Sequence, residues 1–275
     1  MSNGALIKTR QDVENLTANE LDNLRQAFSM MMAIRDNRGY SFIAGHHGVP
    51  GFYCWHHQRD LGERKGFRSR LFLPWHRAYL KVLEDLLQDH VPGITVPWWR
   101  WPVQEVPRAR KVIPKAFSDQ RWNGQQNPLY SFHISIPNVT LPDGPEISLD
   151  EDTFRRPGQN PFARLPSVSR LRRLVEIEDY GEFSDQLEDI HDGMHGWVGG
   201  TMSDVYRAGF DPLFFVHHSN VDRWWRMWQL RHGDLNIPLE LLNIALDPFP
   251  YTVRDVLSVY NLGYDYASSS SELVL

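Results

Sequence analysis

Cysteine is all but absent from the chain: Cys54 stands alone. With no second cysteine there is no intramolecular disulfide and no multi-cysteine zinc site. Long apolar runs are missing too, since no stretch approaches the roughly 20 residues of a membrane-spanning helix. The N-terminal Met-Ser-Asn-Gly-Ala-Leu-Ile-Lys-Thr-Arg lacks the basic start and apolar core of an export signal. These absences lead to the expectation of a soluble, cytoplasmic protein without membrane partners. Basic charge is not in excess, with 29 Lys plus Arg against 34 Asp plus Glu and a formal charge of −5, so nucleic acid is not an expected partner. No internal repeat or low-complexity linker divides the chain, and the Ser268 to Ser271 run marks only a frayed end. With 41% hydrophobic and 23% charged residues, the 275-residue chain reads as one domain, 1–275, with a sizeable core.

What the chain has in plenty is histidine, twelve in all, and tryptophan, ten. Their setting is mainly helical. Thr17-Ala18-Asn19-Glu20 fits a capping box, and Leu21, Leu24, Phe28, Met31 and Met32 give the following helix one apolar stripe through about Arg35. A second helix is expected from Pro74 to the Pro92-Gly93 stop, a third from Ser184 to about Trp197, and a fourth from Asn220 to the Gly233 stop. The prolines between 94 and 170 exclude long helices there and leave ordered loop, with short strands expected at Val96–Trp99 and His133–Ile136. The segment from Gly45 to Arg70 has no period and reads as an irregular connection.

The histidines fall into two sets. His191 and His195, four apart on one helix, present two rings from one face, as a helix does for a shared metal. The run between them, Asp-Gly-Met, has no Glu, so the hydrolytic zinc motif is not present. His217-His218 precedes the fourth expected helix, whose Asn220 and Asp222 can orient a ring from outside the metal's own ligands. The second set is His46-His47, His56-His57 and the inward-facing His76. Two all-imidazole sites without carboxylates favour copper or zinc over magnesium, calcium or manganese.

At these residues the chain resembles a known family. Phe72-Leu73-Pro74-Trp75-His76-Arg77 is similar to the first-copper signature of the type 3 copper proteins, the tyrosinases, catechol oxidases and molluscan haemocyanins. Asp211-Pro212-Leu213-Phe214-Phe215-Val216-His217-His218-Ser219-Asn220-Val221-Asp222 is similar to the second-copper signature. The similarity runs from about Tyr40 to Trp101 and from Phe183 to Gly233, and Tyr264-Asp265-Tyr266 resembles the tyrosine motif that closes the family's catalytic domain. The implied fold is mainly α, a four-helix-bundle core around a binuclear copper site, with long ordered loops and few short strands.

Position by position, the resemblance assigns the second copper to His191, His195 and His218, with His217 as the neighbour of a ligand. It assigns the first to His47 and His76, with His56 as the middle ligand and His57 as the alternative. Where many bacterial members carry the middle histidine, this chain has Phe67. Cys54-Trp55-His56 is similar to the arrangement in which fungal and molluscan members join sulfur to a ligand ring by a thioether, and a buried apolar role is the plain alternative for Cys54. Two copper ions with O2 as co-substrate are the implied cofactors, a small phenol the implied partner, and a copper-delivery protein a further partner the resemblance admits.

The implied reaction is oxidation of o-diphenols, with hydroxylation of monophenols and oxidation of o-aminophenols in the same class. Glu188 and Asp192 take the positions of the family's proton-handling pair, and like charges so close should raise one of their pKa values. Phe214 matches the aromatic side chain over the second copper, and Gly196 should leave the way in uncrowded. The chain ends soon after the tyrosine motif, so no C-terminal covering domain and no proteolytic activation are expected. A diphenol-only catechol oxidase and an oxygen carrier are the alternatives. Arg100 stands where the family commonly has Asp, so the pairing expected there must be altered or moved.

Overall fold

The computed structural model describes residues 7–55, 69–108, 111–142 and 144–267. Helix α1, Ala18–Ala33, opens on the expected capping box: Thr17 Oγ1 accepts from the Glu20 amide at 3.2 Å and Glu20 Oε2 accepts from the Thr17 amide at 2.8 Å. Its Leu24, Ala27, Phe28 and Met31 are buried. Helix α2, Phe72–His90, starts before the expected Pro74, because Pro74 still lies in the first turn, where no amide has an intrahelical partner to lose.

Helix α3, Tyr180–Val198, also starts earlier than Ser184. Asp179 is its N-cap, accepting from the Glu182 amide at 2.8 Å, and Gly199 at φ 66° ends it. Helix α4, Leu213–His232, begins at Leu213 rather than Asn220, with Asp211 Oδ1 accepting from the Leu213 amide at 2.9 Å. His217 and His218 are therefore on the helix and not before it. The run Leu213–Arg226 is buried on every side, so it carries no amphipathic period by which its start could be read.

Helix α2 packs against α1, α3 and α4, and α3 meets α4. Strands are short and peripheral. β1, Lys8–Arg10, pairs in parallel with β6, Tyr264–Tyr266, while β2, Arg121–Trp122, and β3, Gln125–Gln126, form a small antiparallel pair. β4, His133–Thr140, extends the expected strand and pairs antiparallel with β5, Glu146–Asp152. Val96–Trp99 forms no strand; Trp98 makes only an isolated bridge to Asp12. A short helix the prolines did not suggest, Val168–Leu174, closes this region. Among the described residues no helix is long and apolar enough to cross a membrane.

One buried cluster ties the ends of the chain to the central helices. Asp222 on α4 accepts from Arg77 Nε on α2 at 2.5 Å, from Arg10 Nη1 on β1 at 3.3 Å, and from the Tyr264 and Tyr266 hydroxyls on β6 at 2.6 Å each. Arg10 also donates to Glu84 at 2.9 Å, and the Arg77 guanidinium lies 3.6 Å from the Trp225 ring centre. The expectation that Asp222 orients a histidine ring is thus corrected: its oxygens are taken by two guanidiniums and two phenols. Arg100 finds its partner in Asp12, donating from Nε at 3.0 Å.

Candidate metal centre

Three helices and one turn aim imidazoles at a common interior. His47 follows the short helix Tyr40–Ala44, where Gly209 lets the backbone pass; a Cβ there would sit 2.7 Å from Ala44 O and 3.1 Å from His47 Cβ. His76 comes from the first turns of α2, His191 and His195 from α3, and His217 and His218 from α4. The donor atoms of His191, His195, His217 and His218 all lie within 4.8 Å of one another, as do those of His47, Cys54 and His76.

The two groups abut. The His76 ring stacks on His218 at 4.1 Å with an interplanar angle of 11°, and His47 stands 5.7 Å from His76 and 6.3 Å from His218. His191 is 4.4 Å from His195, 4.7 Å from His218 and 6.3 Å from His76, centre to centre.

Tautomers follow from the partners, because a carbonyl or carboxylate oxygen only accepts. His76 Nδ1 donates to Phe72 O at 2.8 Å, His195 Nδ1 to Met202 O at 2.6 Å, and His191 Nδ1 to Asp192 Oδ1 at 3.0 Å. Each ring is thereby held with an Nε2 lone pair available; that of His191 lies 3.1 Å from His218 Nε2, and that of His76 lies 3.9 Å from Cys54 Sγ. Burial, and then the neighbouring imidazoles, hold His217 and His218 well below the ordinary histidine pKa, so both are neutral. Imidazole donors, three of them with fixed tautomers, and no carboxylate among them fit copper.

Of the residues expected from the sequence, His47, His76, His191, His195 and His218 are brought together, with Cys54 buried beside the first pair. His56, its alternative His57, and Phe67 lie outside the described residues. His217 also stands within the second group. Phe214 is fully buried between the groups, its ring 4.0 Å from His218, 4.8 Å from His47 and 5.9 Å from His195. Phe72 was not singled out from the sequence, yet its ring is 4.8 Å from His76 and 4.9 Å from His191. Its place one turn before His76 is the signal that finds it. Gly196 is half-buried against Ala163 and Asn160, with a Cβ reaching only ordinary contact at 3.5 Å and 3.6 Å.

Glu188 shares the face of α3 with His191 and His195 and is 8% exposed. Burial, reinforced by the Asp192 and Asp185 carboxylates, pushes its carboxyl up to about 9, against a lowering hydrogen bond with Trp55. The sequence expectation of one raised acid is met at Glu188, although desolvation is the larger cause. Folded, Glu188 keeps its proton up to about pH 9, whereas unfolded it loses it near 4.5. Its contribution to stability is full below 4.5 and is lost as pH rises toward 9. In the metal-free protein, Glu188→Gln should therefore match the wild-type thermal midpoint at about pH 5 and exceed it by several degrees at about pH 8. A melting series against pH reads the difference, and parallel curves would show that the carboxyl is not held protonated.

Comparison with known proteins gives the following. A family model described as the common central domain of tyrosinase matches residues 35–231. Unit D of the haemocyanin beta-C chain of Helix pomatia is 29% identical over 271 residues, covering 92% of this chain and 61% of that one. A-type haemocyanin of Enteroctopus dofleini, units Ode to Odg, is 29% identical over 265 residues, covering 90% of this chain and 21% of that one. The chain thus spans less than two thirds of these relatives. Among solved structures, a functional unit of octopus haemocyanin superposes with a TM-score of 0.69 at 25% identity, over 95% of this chain and 68% of that chain. Tyrosinase from Burkholderia thailandensis superposes with a TM-score of 0.75 over 97% of this chain and 75% of that chain; its 23% identity speaks for the fold alone.

Proposed function

We propose, from the premise that the chain belongs to the tyrosinase family of type 3 copper proteins, that it oxidises o-diphenols to o-quinones and also hydroxylates monophenols. Two diphenols and one O2 give two quinones and two waters; one monophenol and one O2 give one quinone and one water. His191, His195 and His218 would hold one copper, and His47 and His76, with His56, the other. When bound, the two copper ions exchange electrons with O2 and phenol and offer positive charge to a phenolate oxygen.

Glu188 carries this reading. A phenol must give up its proton before its oxygen can approach a metal, and a buried carboxyl on the histidine face of α3 is a group to take it. Cations beside Glu188 bring its pKa down toward the working range. Asp192 holds the His191 ring, and Phe214 presents an aromatic face to a substrate ring. Reversible oxygen carriage moves no substrate proton and has no use for such a group.

The carrier reading keeps a place because the relatives named above are haemocyanins. The copper-loaded protein, given a monophenol and a diphenol in separate oxygen-uptake assays, should consume both. Glu188→Gln should cut monophenol turnover by about a hundredfold, the lower end of general-base contributions, and diphenol turnover by much less. Diphenol turnover alone would make the chain a catechol oxidase. Oxygen-dependent near-ultraviolet absorption without loss of either phenol would make it a carrier.

A further inference from the structure

His217 differs from the other histidines of the second group. It is fully buried, and among the described residues neither of its ring nitrogens has a hydrogen-bond partner, whereas His191, His195 and His218 each have at least one. An unpaired buried polar group costs about 1–3 kcal/mol, and a phenylalanine would fill the same space without that cost. The ring lies flat on His191 at 5.0 Å and 16°, meets His195 edge-on at 4.7 Å and 89°, and is backed by Trp101 at 5.3 Å. Its donor atom is within 4.8 Å of those of His191, His195 and His218. His218, meanwhile, stacks on His76 of the other group at 4.1 Å while its Nε2 sits 3.1 Å from His191 Nε2. One ring thus leans across both groups, and a second, without a hydrogen-bond partner among the described residues, adds a fourth nitrogen within reach of the second group.

We infer that His217 is an auxiliary ligand of the second copper, receiving the ion with His191 and His195 during loading. The nitrogens of His76, His191 and His195 that face away from the centre are anchored to Phe72 O, Asp192 and Met202 O, which fixes those rings for permanent ligation. His218 has no anchor at Nδ1 but is held through Nε2 against His191 at 3.1 Å; His217 has no hydrogen bond at either nitrogen among the described residues, so its ring can turn toward an arriving ion and turn back without breaking one. The inference rests on reading the two histidine groups as copper sites.

The test is copper(I) uptake by the metal-free protein and by His217→Phe, which keeps the ring packing and removes both nitrogens. At saturation both proteins should hold two copper ions. The variant should bind the second about tenfold more weakly and load it correspondingly slowly, as judged by chelator competition and stopped-flow mixing. Equal affinity and equal loading would overturn the inference, and so would outright loss of one copper, which would make His217 a permanent ligand. Wild-type protein that binds fewer than two ions would overturn the copper reading itself and the inference with it. Should the variant not fold, imidazole ¹⁵N spectra of the wild type during copper(I) titration decide the matter. A His217 nitrogen signal that moves into the metal-bound range supports the assignment, and one that stays in place contradicts it.

Discussion

His191→Ala is expected to leave one copper per chain instead of two and to lower diphenol turnover by more than about a hundredfold, beyond what losing an outer partner of a ligand costs. His191 is the ring on which the arrangement converges. It lies 4.4 Å from His195, 4.7 Å from His218 and 5.0 Å from His217, and it is the histidine of α3 nearest to His76 of the first group. Its Nδ1–H is tied to Asp192, so Nε2 is committed to the interior. Metal analysis with oxygen-uptake kinetics reads both effects. Two copper ions retained with turnover intact would remove His191 from the ligands, and a circular-dichroism spectrum like that of the wild type would show that the fold is not the cause.

Asp222→Ala is expected to destabilise the protein by about 3–5 kcal/mol, the cost of leaving a buried ion pair half-made. Two guanidiniums and two phenols point at this one carboxylate, and Arg10, Arg77 and Asp222 are almost wholly inaccessible. That is a large share of the roughly 5–15 kcal/mol that holds a domain folded. Burial, the largest single influence on Asp222, pushes its pKa upward, but the charges of Arg77 and Arg10 and the bonds from Tyr264 and Tyr266 outweigh it and leave the pKa below 3.8. The stabilisation is therefore present above about pH 4 and is lost as the solution is acidified through the depressed value. Urea denaturation at neutral pH and in acid measures both parts. The milder Tyr266→Phe, which removes the hydroxyl that donates to Asp222 and accepts from Arg10 Nη1, should cost at least about 1.5–3 kcal/mol if Asp222→Ala does not fold. A change within about 0.5 kcal/mol for either variant would place the cluster outside the stabilising core.

How far the sequence could be read depended on how local each signal was. The α1 capping box, the Gly233 stop of α4 and the spacing of His191 and His195 are patterns within a few residues, and all three stand in the structure. The start of α4 was not legible by period because Leu213–Arg226 is buried on every side; the local signal was Asp211-Pro212, a capping carboxylate followed by a helix-opening proline. Moving that start back put His217 and His218 on the helix and brought His217 within reach of the other rings.

The role of Asp222 was beyond any local reading. It depends on residues 10, 77, 264 and 266 arriving from both ends of the chain through the parallel pairing of β1 with β6. The charge conflict at Glu188 was legible from its spacing to Asp192, but its burial, the larger cause, was not. Asp192, grouped with Glu188 from that spacing, proves to hold the His191 ring.

The measurement that bears most directly on the account is copper content per chain, taken together with the near-ultraviolet spectrum of the loaded, reduced protein as oxygen is admitted. Two ions per chain and a strong absorption that appears with oxygen and disappears when it is withdrawn are the expected result. One ion or none, or two ions whose spectrum is indifferent to oxygen, would contradict the claim that these histidines form two neighbouring copper sites acting as a pair.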